Sequence, residues 1–278
     1  LDRIHIATSA TGVAARRERG KMPKAASDRV NNEADAPVPP SGWVVYPAVP
    51  SVGAATARLA ARAGYAVCIT YLKNKTAADV VVAEIESIGG RCLAFPVDVG
   101  IEEQVVGLFE QVDTHFGPIG ALVNNAAILE KQSRVENLDA NRLQRIFTTN
   151  VFGTIICARE AVRRMSTSHG GCGGSIVNLS SVAAKLGAPG EYVDYAASKG
   201  AIDTFTVGLA REVATEGIRV NAVRPGVIYT EIHASGGEPE RVDRVKSSVP
   251  MQRGGQPEEV ARTILWLLSD EASYMARR

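Results

Sequence analysis

The sequence has no surplus of either charge: 31 Lys+Arg stand against 30 Asp+Glu, for a formal net charge of +1 over 278 residues. A balance this even gives no electrostatic footprint for nucleic acid or an anionic membrane surface, so neither is expected as a partner. Long apolar runs are missing too. The stretch Ile264-Leu-Trp-Leu-Leu268 is far short of the roughly 20 residues a spanning helix needs, and reads as one buried helix face. The four cysteines (Cys68, Cys92, Cys157, Cys172) form no Cys-x-x-Cys pair, and the four histidines are dispersed. A disulfide framework and a metal centre are therefore not expected; the thiols read as reduced, mostly core-packing groups. Asn74-Lys-Thr76 and Asn178-Leu-Ser180 match the glycosylation pattern, but no signal-peptide pattern precedes them and the second lies on an apolar strand. The expected location is cytoplasmic.

The chain divides by character. Residues 1–42 mix basic clusters (Arg16-Arg17-Glu18-Arg19), a polar stretch and the Pro-rich run Ala36-Pro-Val-Pro-Pro40. Without sustained periodicity they read as a disordered or irregular tail. Residues 43–278 read as a single domain in which strands and helices alternate. The expected strands are Trp43–Tyr46, Ala66–Tyr71, Cys92–Val97, Ala121–Asn124, a run from Ser175 and Ile218–Val223. The expected helices cover Gly53–Arg62, Thr76–Ile88, Glu102–His115, Leu143–Arg164, Val193–Glu216 and a last one opened by Pro257. Repeated β-α-β units with apolar strands imply an α/β fold: a Rossmann-type, doubly wound parallel sheet with helices on both faces. Ligands in such sheets bind beyond the carboxyl ends of the strands, the edge that Ser181 and the turns after Tyr46, Asn124 and Val223 share.

Chemistry concentrates after the Ser175 strand. Tyr195 and Lys199 lie four apart on an expected helix, hence one above the other on one face, with Ser181 at the preceding strand end. A phenol titrates near pH 10, too high for acid–base work at neutrality. An ammonium about 4 Å away, at an effective dielectric of about 20, favours phenolate by up to ~4 kcal/mol, about three pH units. On this reading Lys199 draws Tyr195 toward neutrality and Ser181 holds a substrate oxygen, which makes a proton-transfer site for a carbonyl or an alcohol.

Asn124-Asn-Ala-Ala127, Asn150-Val151, Ser181, Tyr195-x-x-x-Lys199 and Arg224-Pro-Gly-Val-Ile-Tyr-Thr230 stand in the order and at the intervals of one family. Over about residues 44–274 the chain resembles the short-chain dehydrogenase/reductases. The resemblance implies reversible hydride transfer between a nicotinamide cofactor and a carbonyl or secondary alcohol. Tyr195 would be the acid–base, and Lys199 would lower its pKa and bind the nicotinamide ribose. Ser181, with Ser180 as the neighbouring alternative, would orient the substrate oxygen, and Asn150 would hold a water leading to Lys199. Asp98 and Val99 resemble the adenine contact, Asn125 the adenosine-ribose position, and Pro225, Gly226, Ile228 and Thr230 the grip on carboxamide and phosphates. The resemblance also puts Glu191, Tyr192, His233 and a lid over residues 231–250 around the substrate, and implies a homodimer or homotetramer. At the second strand's end, Thr70-Tyr71-Leu-Lys73-Asn74 has no carboxylate for a ribose 2′-hydroxyl and offers a cation to a 2′-phosphate, so NADP is expected over NAD.

Both ends depart from the family. Where it has Thr-Gly-x-x-x-Gly-x-Gly, this chain reads Tyr46-Pro-Ala-Val-Pro-Ser51-Val-Gly53, keeping only the last glycine. Pro47 has no N–H to offer, and Ser51 adds a side chain, though its hydroxyl suits a helix cap or a phosphate contact. After Tyr274 only Met275-Ala-Arg-Arg278 remains where the family continues into another strand and a tail used in subunit contact. The expected consequence is a bare sheet edge. These departures set a second reading beside the enzyme: a non-catalytic relative that keeps the fold with impaired cofactor binding.

Overall fold

The computed structural model describes residues 45–47 and 52–276. The expectations for the tail at 1–42, for the altered glycine stretch at 48–51 including Ser51, and for the chain's last two residues lie outside that range. Six parallel strands are described: β1 (Val45–Pro47), β2 (Val67–Tyr71), β3 (Cys92–Pro96), β4 (Ala121–Asn124), β5 (Gly174–Leu179) and β6 (Ile218–Val223). Ladders join them as β1-β2-β3 and β4-β5-β6, and β1 runs beside β4, so the halves meet in the doubly wound order 3-2-1-4-5-6.

Side-chain alternation explains the layers. Val67 and Ile69 of β2, with Ala121 and Val123 of β4 and Val177 of β5, pack against α1 (Val52–Arg62), α2 (Lys75–Ser87) and the last long helix, Pro257–Leu268. The intervening Cys68, Leu122 and Ile176, with Ile218 and Val220 of β6, face α3 (Glu102–Phe116), the helix Thr154–Met165 and the helix Val193–Glu212. Period-two strands thus feed two separate cores, and each fully buried Ile or Leu contributes about 1.5–3 kcal/mol. Cys68, Cys92 and Cys157 are buried and Cys172 is exposed; burial raises the three buried thiols, which keeps them protonated and inert. Of the two glycosylation-like asparagines, Asn178 is wholly buried, and Asn74, exposed, caps α2 by accepting from Ala77 N–H at 3.0 Å.

The single helix expected over residues 143–164 is instead α4 (Ala140–Phe147), a π-helical turn at Thr148–Gly153, and α5 (Thr154–Met165). A Cβ on Gly153 would meet the Val99 carbonyl at 2.9 Å, so the turn rests its backbone on the segment that follows β3. After β5 come α6 (Ala183–Leu186) and α7 (Val193–Glu212), which gives way to a 3₁₀ turn, Ala214–Glu216, inside the longer span expected. The expected lid holds α8 (Ile232–Ser235) and α9 (Arg241–Val245), ahead of α10 (Pro257–Leu268). The edge at β6 is less bare than expected. Arg219 donates to the carbonyls of Leu267, Leu268, Ser269 and Ala272, and Asn221 to that of Met275, so the segment after α10 is tied to this strand.

Candidate active site

A cleft of about 440 Å³ crosses the carboxyl ends of the strands. Thr70, Tyr71 and Leu72 line it after β2, Asp98 and Val99 after β3, and Asn125 to Leu129 after β4. Ser180 to Ala183 follow after β5, and Pro225 to Ile228 with Thr230 after β6. Tyr195 and Lys199 of α7 form one wall, and Tyr192, His233 and Arg241 enter from the lid side. The cleft spans the switch between the two sheet halves, where doubly wound sheets bind their ligands, and its volume is in the range of small-molecule sites. Of the expected cofactor contacts, Gly53 is buried in the first turn of α1 and Lys73 is exposed; neither lines the cleft. Among the described residues, the lining carboxylates are Asp98 after β3 and Glu231 after β6, and none follows β2.

Tyr195 and Ser181 share the cleft wall, where the serine hydroxyl lowers the phenol's pKa; Ser181 Oγ accepts from Ala183 N–H at 3.1 Å and is thereby aimed by the turn. Ser180 points elsewhere, donating to the Lys199 carbonyl at 3.1 Å, so Ser181 and not its neighbour meets the phenol. Lys199, 3% exposed, donates from Nζ to the Leu179 carbonyl at 2.6 Å and stands 5.6 Å from the Tyr195 ring centroid. Burial raises Tyr195 to about 12, opposed by the Ser181 hydroxyl, and lowers Lys199 to about 8, opposed by Asp203. This corrects the expectation that Lys199 draws the phenol toward neutrality. The ammonium is spent on Leu179, and desolvation is the largest influence on both groups.

Asn150 does not line the cleft; it is wholly buried in the π-turn behind it. Its Oδ1 accepts from Ile128 N–H at 2.8 Å, and Nδ2 donates to the Ile128 carbonyl and to Ser198 Oγ, both at 3.1 Å. The direct partners of Asn150 are thus a loop backbone and a serine of α7. Asn124 ties β4 to β5 through Asn178 Oδ1 at 2.9 Å, while Asn125 faces the cleft.

Glu191 is held by Arg241 at 2.5 Å and Arg244 at 2.9 Å, and both arginines also pair with Glu238. Gln132 donates to Glu238 at 2.6 Å, the Arg241 guanidinium lies 4.9 Å from the Tyr192 ring centroid, and Tyr192 donates to the Gly236 carbonyl at 3.3 Å. His233 sets Nε2 at 3.0 Å from the Ile228 carbonyl, and its buried Nδ1 has no hydrogen-bond partner among the described residues; burial lowers its pKa. The lid is therefore clasped to the loops after β4 and before α7. Glu238, Arg241 and Arg244 gave no sequence signal beyond ordinary loop charges, because their partners lie up to 106 residues away.

A cleft at the switch point of a parallel sheet, walled by a Tyr-x-x-x-Lys helix and a serine, lies where ligands of doubly wound sheets bind. A family model described as "Enoyl-(Acyl carrier protein) reductase" matches residues 48–276. The chain is 60% identical over 224 residues to the uncharacterized oxidoreductase YgfF of Escherichia coli (strain K12), covering 81% of this chain and 91% of that one. It is 36% identical over 228 residues to NADPH-dependent aldehyde reductase 1, chloroplastic, of Arabidopsis thaliana, covering 80% and 77%. A short chain dehydrogenase from Burkholderia cenocepacia J2315, solved in complex with NADP, superposes with TM-score 0.77 at 29% identity over 85% of this chain and 94% of that one. The chain belongs to the short-chain dehydrogenase/reductase family and is an oxidoreductase.

Proposed function

We propose that the protein is an NADP-dependent reductase and dehydrogenase of CH–OH groups, interconverting a small carbonyl compound and its alcohol. The observation that carries the reading is the convergence of Ser181, Tyr195 and Lys199 on one wall of a cleft lined from the ends of β2 to β6. The cofactor, when bound, supplies the hydride. Tyr71, Asp98, Val99, Asn125, Pro225, Gly226, Ile228 and Thr230 fit its binding by their places along the cleft, with Lys199 at the ribose, while Lys73, Ser51 and Gly53 are further candidates for the phosphates.

Tyr195 delivers the proton to the carbonyl oxygen, and Ser181 fixes that oxygen by hydrogen bonding. A phenol near 12 is fully protonated at neutral pH, which suits the acid role in reduction. Alcohol oxidation needs the phenolate and rises with pH. Asn150 keeps the Ile128 loop and Ser198 in place beneath these groups. Homo-oligomerisation, a cytoplasmic location and the division into a tail at 1–42 and a catalytic domain at 43–278 complete the proposal.

Titrating NADPH and NADH onto the purified chain while following its melting temperature tests the reading. Saturation at a hundred times Kd stabilises by about 2.7 kcal/mol. NADPH is expected to raise the melting temperature more than NADH, and to be consumed with an aldehyde by the wild type but not by Tyr195→Phe. An unmoved melting temperature with either nucleotide would favour the non-catalytic relative.

A further inference from the structure

Both backbone polar groups of Tyr195 are held by side chains that lead to α4 and the π-turn that follows it. Its N–H donates to Asp194 Oδ1 at 2.9 Å, and the Asp194 carboxylate is gripped by Arg142 of α4 through Nε at 2.6 Å and Nη2 at 3.4 Å. Its carbonyl accepts from Ser198 Oγ at 2.7 Å, which in turn accepts from Asn150 of the π-turn. Arg142 Nη1 continues to the Lys131 carbonyl at 2.6 Å, in the loop after β4.

The first half of this clamp is unusual in its physics. Asp194 and Arg142 are an ion pair with side chains 0% and 8% exposed. A buried pair is a poor source of net stability, because desolvation offsets its Coulomb energy, and such pairs are better attested where they specify one arrangement. The N-cap of α7, Tyr192, makes no side-chain cap hydrogen bond. Asp194, in the first turn, takes up one of the helix's orphan amides in its place, and that amide belongs to Tyr195. The charges are also matched. An unpaired carboxylate one residue from the phenol would oppose its ionisation, and an unpaired guanidinium would favour it. Lys199 on the same helix and Ser181 after β5 act on the ring directly, and the other titratable or charged groups of the cleft lining are Tyr71, Asp98, Tyr192, Glu231, His233 and Arg241.

We infer that Arg142 and Asp194 are positioning residues for Tyr195: the pair fixes the rotation of α7's first turn against α4 and, being internally neutral, adds no net charge of its own beside the phenol. The inference rests on the reading of Tyr195 as the acid–base. Misplacing a reacting group by about 1 Å costs on the order of a hundredfold in rate, which sets the scale expected.

The test uses the full chain, benzaldehyde with NADPH as the probe pair, and the variants Arg142→Met, Asp194→Asn, Arg142→Lys and the Met/Asn double. Arg142→Met is expected to lower kcat about a hundredfold with KM for NADPH held, and Arg142→Lys to recover most of the loss. The pH profile should move alkaline by about one unit in Arg142→Met, where the carboxylate stands alone, and acid in Asp194→Asn, where the guanidinium does. The double variant should return near the wild-type profile. A merely structural pair predicts no such opposed shifts, and unshifted profiles in both single variants would overturn the inference. Hydrogen exchange decides independently of turnover. Selective loss of protection in the first turn of α7, with β2 unchanged, supports the pair's role; uniform loss or none overturns it. If the wild type does not reduce benzaldehyde, the functional reading is what suffers, and exchange still judges the pair. Should Arg142→Met not fold, the nearly isosteric Asp194→Asn is put to the same exchange measurement, with the same two outcomes deciding.

Discussion

Lys199 Nζ lies 2.6 Å from the carbonyl oxygen of Leu179, the last residue of β5. The ammonium is therefore anchored to the sheet as well as to its helix, beside the ring of Tyr195 and away from bulk water. Its burial is the larger influence on its proton, and this leads to a measurable dependence of stability on pH.

Lys199 titrates near 8 in the folded chain against 10.5 for a free side chain. Between those values the unfolded chain binds more protons than the folded one, so stability rises with pH across that window. A shift of this size corresponds to roughly 3 kcal/mol for a group so deeply buried. Tyr195 works in the opposite sense from 10.0 to about 12, where the folded chain retains the proton that the unfolded chain has lost, and stability falls. Urea denaturation of the wild type is expected to show a rise from neutral pH to about pH 10, and Lys199→Met to be nearly flat over the same range and more stable below it. Equal slopes in the two proteins would contradict the assignment.

Asn150 satisfies both backbone groups of Ile128 and one serine hydroxyl from a fully buried position. Removing it leaves the half-buried N–H and carbonyl of Ile128 without this partner, at up to about 1–3 kcal/mol each, while Ser198 keeps its bond to the Tyr195 carbonyl. Asn150→Ala is expected to lower the melting temperature by several degrees and to reduce turnover, since the Ile128 loop and Ser198 both border the reacting groups. Asn150→Asp keeps the acceptor for Ile128 N–H but turns a carboxylate toward the Ile128 carbonyl, so it should be nearly as damaging. A variant with wild-type stability and kcat would show that this buried amide is dispensable.

How much of this was legible in the sequence follows from the range of the interactions. The apolar run of β4, the alternation of β6 and the Pro-opened α10 are set by local pattern, and their ends fall where expected. The meeting of the candidate site residues Ser181, Tyr195 and Lys199 at the cleft is also legible, because a strand end and one helical turn are enough to bring them together. The π-turn was not, since residues 148–153 contain no local breaker before Gly153 and the turn is matched to Val99 and Ile128 at a distance. Arg142 and Asp194 stand 52 residues apart, so no spacing announces their pairing. The inverted protonation balance of Tyr195 and Lys199 was hidden for a further reason: spacing gives the approach of two charges, whereas desolvation depends on everything packed around them.

The clasp on the lid predicts salt sensitivity. Arg244 and Arg241 bridge Glu191 and Glu238 with side chains 16–48% exposed, so screening weakens the pairs while each contributes at most about 1 kcal/mol to folding. Glu238→Gln is expected to leave the melting temperature within a few degrees of wild type and to raise KM for the carbonyl substrate. The wild type should show the same rise at about 1 M salt. The Arg244 guanidinium holds Glu238 down to about 2, so the clasp stays charged throughout the neutral range and loosens only as pH falls below 4.5. Steady-state kinetics at two salt concentrations would check both statements; a KM indifferent to salt and to Glu238→Gln would show that the lid is held by its apolar contacts.

The same clasp bears on what the cleft accepts. Among the described residues, its lining contains two cations, Lys199 and Arg241. Lys199 is bonded to Leu179, and Arg241 is paired with Glu191 at 2.5 Å and Glu238 at 3.3 Å while it lies over Tyr192. A substrate carboxylate would have to take one of these cations from its partner and lose its own hydration, whereas a neutral aldehyde meets Ile128, Leu129, Val182, Ala188 and Ile232 at no such cost. Neutral aldehydes are expected to exceed matched carboxylate-bearing aldehydes by about tenfold or more in kcat/KM, a difference of about 1.4 kcal/mol. Glu191→Gln releases part of Arg241's charge and should narrow that gap by improving the anionic substrate more than the neutral one. A gap that is absent in the wild type, or that widens in Glu191→Gln, would mean that Arg241 does not set the charge the cleft selects.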